Sequence, residues 1–70
     1  MSTTTNYIVT GMTCGHCANH VTQEVKGLPG VADVRVDVAG PMAITSDDVI
    51  DFELVRAAVS EAGDYTVALA

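Results

Sequence analysis

Apolar residues recur along this chain with two different periods, and the switches between them mark out six short segments. Tyr7 and Val9 alternate with Ile8 and Thr10, which predicts a first strand ending near Gly11. Over 18–26 the spacing turns helical, with Ala18, Val21 and Val25 on one face, and Gly27, Pro29 and Gly30 end that helix in a turn. Residues 31–38 alternate most cleanly. Val34, Val36 and Val38 face one way and Asp33, Arg35 and Asp37 the other, so one side is buried and one wet. Ala39-Gly40-Pro41 reads as a turn, after which Met42 and Ile44 alternate along a short returning strand. Asp51 suits an N-cap, Phe52, Val55, Val59 and Ala62 line the inner face of a second helix, and Gly63 stops it. Tyr65, Val67 and Leu69 alternate as a last strand.

The order is βαββαβ, an α+β chain that suits a four-stranded antiparallel sheet with both helices on one face, the ferredoxin-like arrangement. The alternating strands support this independently, because helices on both faces would demand continuously apolar strands. Seventy residues make one domain, 1–70, with 1–5 expected as a flexible tail. A domain this short buries only ~60% of its unfolded surface, which leaves no room for a deep catalytic cleft.

Charge narrows the partners. Nine acidic residues against Lys26, Arg35 and Arg56 give a net charge of −6. That balance excludes a nucleic-acid backbone, which needs a cationic face, and disfavours anionic lipid. It favours a cation or a protein with a basic patch. No apolar run approaches the ~20 residues of a membrane span, so no membrane insertion is expected. The opening Met-Ser-Thr-Thr-Thr-Asn has neither a basic start nor an apolar core, and the expected location is the cytoplasm.

The chemistry concentrates in Cys14-Gly15-His16-Cys17, between the first strand and the first helix. Cys17 falls at or near the helix N-terminus, where unpaired N–H groups and the dipole favour a thiolate, and Cys14 falls on the preceding loop. Two adjacent soft thiolates suit a soft ion, Cu(I) first, which tolerates two ligands. Zn(II) normally wants four, and only His16 and His20 are at hand to add to the pair, with a dimer as one route. A thiol–disulfide oxidoreductase is the alternative of another class, since CGHC also serves as a redox pair in protein disulfide isomerase. There an aromatic residue, usually Trp, precedes the pair in a longer domain. Here Met12 and Thr13 precede it and Trp is absent. A disulfide across so short a loop would constrain little chain entropy.

GMTCGHC at 11–17, leading into a helix of a βαββαβ chain, resembles the heavy-metal-associated domain, whose motif is GMxCxxC, and within it the bacterial copper chaperones of the Atx/CopZ type. The likeness covers nearly the whole chain, including LPGV at 28–31 and the second helix ending in Gly63. It implies Cu(I) held by Cys14 and Cys17 and passed by thiol exchange to a copper-transporting P-type ATPase, with no substrate bond broken and so no enzyme. It also implies a monomer without metal, a metal-bridged dimer as a further form, and Zn(II) or Hg(II) as ions taken in vitro. A mercury or other soft-metal module (Zn or Cd) is the alternative function, since mercury-scavenging domains share GMTCxxC. Bacterial members usually carry Gly-Tyr after the second helix. Here Asp64 follows Gly63 and Tyr65 comes one place later, so either of them is a candidate to approach the metal loop. The stretch 45–49 is shorter than is usual in the family. Thr13 stands where zinc- and cadmium-selective relatives often have Asp, which favours copper or mercury.

Around the pair, plainer roles stand beside functional ones. Met12 is expected to pack inward and support the loop rather than ligate. His16, expected to be exposed, is a candidate to donate to a thiolate, supply a third ligand or bridge metal in a dimer, and otherwise a surface residue. His20 is expected on the surface one turn after Cys17. Gly11 and Gly15 are expected to permit unusual backbone angles in the loop. Asp47, Asp48 and Asp51 lack the spacing of a calcium loop and read as a solvated turn and helix start.

Overall fold

The computed structural model describes residues 2–12 and 15–70. Six elements follow in the expected order: β1 Thr3–Thr10, α1 Gly15–Lys26, β2 Val31–Val36, β3 Pro41–Ser46, α2 Phe52–Ala62 and β4 Thr66–Leu69. The strands form one sheet in the order β2-β3-β1-β4, every neighbouring pair antiparallel. β1 therefore lies inside the sheet, paired with β3 on one side and β4 on the other. Tyr7, Val9, Val34, Met42 and Ile44 from the strands meet Val21 and Val25 of α1 and Val55, Ala58 and Val59 of α2 in one core. The ferredoxin-like expectation holds.

Several local expectations change. Thr3, Thr4 and Thr5 are not tail: they pair with Ser46, Thr45 and Ile44 and extend β1. Their β-branched side chains suit a strand, and Thr4 Oγ1 lies 3.3 Å from Thr45 Oγ1 across the pair. Residue 32 sits where the β2–β3 register slips, between Val31 opposite Ser46 and Asp33 opposite Thr45. The extra residue keeps Val34 opposite Ile44 and turned to the core. β2 ends at Val36, before Val38, because Asp37 starts a turn. Its carbonyl accepts from the Gly40 N–H at 2.9 Å, and its Oδ1 accepts from the Ala39 N–H at 2.8 Å. Val38, expected inside, is carried out by that turn to 42% exposure. Leu69 stands opposite Tyr7 yet is 64% exposed, because β4 is an edge strand with a neighbour on one side only.

The acidic segment behaves as read. Asp51 caps α2, its Oδ1 accepting from the Glu53 N–H at 2.9 Å. Asp48 Oδ1 accepts from the Val49 N–H, and the buried Ser46 hydroxyl donates to the Asp48 carbonyl. Arg56 pairs with Glu53 on the exposed side of α2.

The register also decides what surrounds the chemistry. β1 runs toward Thr10, which pairs with Thr66 at the start of β4. The Val9 N–H donates to the Gly40 carbonyl at 2.8 Å. The 37–40 turn, the link from α2 to β4 and the entry to α1 thus gather at one end of the sheet.

Candidate metal site

The entry to α1 is built on the contact between two links. Gly11, just past β1, has φ +106°, a conformation that L side chains rarely adopt. A methyl group there would sit 3.1 Å from the Asp64 carbonyl oxygen and 3.4 Å from Tyr65 Cδ1. Gly11 therefore serves twice, by its backbone angle and by admitting the 63–65 link to its surface. Asp64 is taken up in a tight turn, in which the Tyr65 N–H donates to the Gly63 carbonyl at 2.8 Å. That turn lays the Tyr65 ring back over Gly63, where a Cβ would stand 2.8 Å from the ring. Asp64 and Tyr65 consequently both lie against Gly11, the first by its carbonyl and the second by its ring. Tyr65 is half-buried and packs on the core just before β4 rather than within it. Gly63, read from sequence only as a helix stop, is also the seat of that ring. The Gly-x-Tyr spacing was the available signal.

Met12 is half-buried and packs against the core, as expected of loop support. α1 begins at Gly15, three residues earlier than the apolar stripe implied. Cys17 is the third residue of the helix and half-buried, with Ala18 behind it in the buried stripe. His16 is exposed but on the helix, not on a loop. Among the described residues, a Cβ at Gly15 would meet nothing within 4 Å. Thr13 and Cys14 lie outside the described residues. His20, one turn beyond Cys17, is exposed and borders a cavity of about 240 Å³ with Gln23 and Glu24 of α1 and Glu61 and Ala62 of α2.

Gly11 is a point where a small change should be felt. Gly11→Ala forces a left-handed conformation on an L residue and presses its methyl against the Asp64 carbonyl. Such strain costs on the order of 1–3 kcal/mol. Urea unfolding of the variant is expected to show a lower midpoint at unchanged slope; an unchanged midpoint would contradict the geometry.

The chain is a small ferredoxin-like domain that presents a cysteine in the first turn of its first helix. The family model described as the heavy-metal-associated domain matches residues 6–64, and the chain belongs to that family. It is 39% identical over 57 residues to copper-transporting ATPase 2 of Rhizobium meliloti, a match that covers 79% of this chain and 7% of the ATPase. Among solved structures it is similar to a CopZ metallochaperone, at 25% identity and TM-score 0.83, covering 94% of this chain and 100% of that one. It is also similar to oxidized MerP from Ralstonia metallidurans, at 25% identity and TM-score 0.83, covering 99% of this chain and 97% of that one. The chain thus resembles copper chaperones and the metal-binding domains of copper-transporting ATPases, and spans a small fraction of the latter's length.

Proposed function

We propose that this chain is a cytoplasmic carrier of Cu(I). It takes the ion on Cys14 and Cys17 and hands it to the metal-binding domain or entry site of a copper-transporting P-type ATPase. The observation that carries the reading is the CxxC pair at the opening of α1 in a chain of the heavy-metal-associated family. Two thiolates a few residues apart match the softness and low coordination number of Cu(I). His16 and Tyr65 are the candidate auxiliary groups. Gly11, Met12, Thr13 and Gly15 are the candidate loop supports.

Transfer requires no acid–base machinery. An acceptor thiolate attacks the bound ion, a three-coordinate intermediate forms, and the original sulfurs leave in turn. No substrate bond is made or broken, so the chain acts as a carrier and not as an enzyme. The net charge of −6 favours an acceptor with a basic rim, which raises the encounter rate more than the affinity.

The test uses the reduced chain loaded with Cu(I) and an isolated metal-binding domain of a copper-transporting ATPase. Copper is expected to equilibrate between the two proteins without passing through a strong chelator in the solution. A chain that keeps its copper, or that in competition prefers Zn(II) to Cu(I), would overturn the carrier reading.

A further inference from the structure

Because α1 starts at Gly15, His16 and His20 stand one turn apart on the same helix, and both are exposed. Residues at i and i+4 on a helix have Cβ atoms about 5–6 Å apart. That is the spacing by which two helical histidines share one metal ion. The geometry points to a second ion site on this chain, distinct in its donors from the thiolate pair although His16 lies between the two cysteines in sequence: a two-imidazole chelate on α1 for a borderline divalent cation such as Zn(II), Ni(II) or Cu(II).

Ligand chemistry separates the two sites. Thiolates select soft ions, whereas imidazole suits zinc, nickel and oxidised copper. The helix holds the second imidazole beside the first, so its attachment is in effect intramolecular. The dipole of α1 opposes a cation near its N-terminus. The carboxylates of Glu24 and Glu61, which border the same cavity as His20, offset that field. Among the described residues no three His, Cys, Asp or Glu side chains are already gathered for a metal. The proposed chelate rests on the two imidazoles, with water in the remaining positions.

The test removes the thiols from consideration. Zn(II) is added to the full chain carrying Cys14→Ser and Cys17→Ser, and the imidazole ring protons are followed by NMR. Should that variant fail to fold, the wild-type chain with both thiols alkylated takes its place. Both histidines are expected to shift together, saturating at one ion per chain. His16→Gln or His20→Gln in that background should each weaken binding by at least about tenfold, the difference that separates a chelate from a lone imidazole. Movement of His20 alone, no movement of either ring, or unchanged affinity in either variant would overturn the site.

Discussion

Replacing Cys14 or Cys17 by serine is expected to lower Cu(I) affinity by on the order of a thousandfold, or ~4 kcal/mol. A two-ligand site that loses one thiolate keeps a single soft donor, and the hydroxyl that replaces it is a hard, neutral oxygen. Among the described residues beside the pair, Met12 packs against the core and His16 offers a borderline nitrogen, so neither replaces a thiolate at equal softness. Each single variant and the double variant should be compared with wild type by competition against a Cu(I) chelator of known affinity. The double variant should retain no specific Cu(I) binding. The fold should survive, because Cys17 is half-buried in the first turn of α1 and serine is slightly smaller. Wild-type affinity in the double variant would refute the ligand assignment. A loss confined to one of the two would refute the paired geometry.

Ile44→Ala is expected to remove a large part of the chain's stability. Ile44 is 1% exposed on β3, opposite Thr5 of β1 and Val34 of β2, so its side chain joins both halves of the sheet to the helices. Truncating such a residue costs about 2–5 kcal/mol, part from lost burial and part from the cavity left behind. Native domains hold only ~0.05–0.15 kcal/mol per residue in total. Over 70 residues that is about 3.5–10.5 kcal/mol, so the loss is about a fifth of the whole or more. At about 4–8 °C per kcal/mol, the thermal midpoint should fall by at least ~8 °C. Val38→Ala is the matched control. At 42% exposure in the 37–40 turn, it should change stability by no more than about 0.5 kcal/mol. Equal effects of the two substitutions would mean that β3 is not the centre of the core.

The alternation of Val34 with Asp33 and Arg35, the stripe of Val21 and Val25, and the cap at Asp51 all announced themselves in the sequence. In each case local pattern and tertiary burial agree. The residues that misled did so where partners decide. Thr3, Thr4 and Thr5 carry no apolar signal and become strand only because β3 lies beside them. Val38 continues a perfect alternation, but the side-chain oxygen of Asp37 captures a backbone N–H and turns the chain first. Leu69 keeps its phase and loses its cover, since no strand flanks β4 on the outer side. At the site, the Cys-Gly-His-Cys motif was plain from the chemistry of its side chains. The place of His16 was not, because the helix begins upstream of its apolar stripe. The meeting of Gly11 with Tyr65 joins residues more than fifty positions apart, and no local pattern encodes it.

The direction of β1 has a consequence for how the domain can be mounted. Strands advance ~3.3 Å per residue, so Thr3 lies roughly 23 Å below Thr10. The Ala70 N–H donates to the Asn6 carbonyl at 3.1 Å, which places it about four residues, or ~13 Å, below that same level. Both backbone directions in which further chain can be attached therefore leave from the half of the molecule remote from the entry to α1. A tether fused at either one works like a stalk under a lamp: it restricts where the domain can swing and leaves the lit end unobstructed. One fold can then stand by itself or be mounted on a longer chain, with no change at the entry to α1.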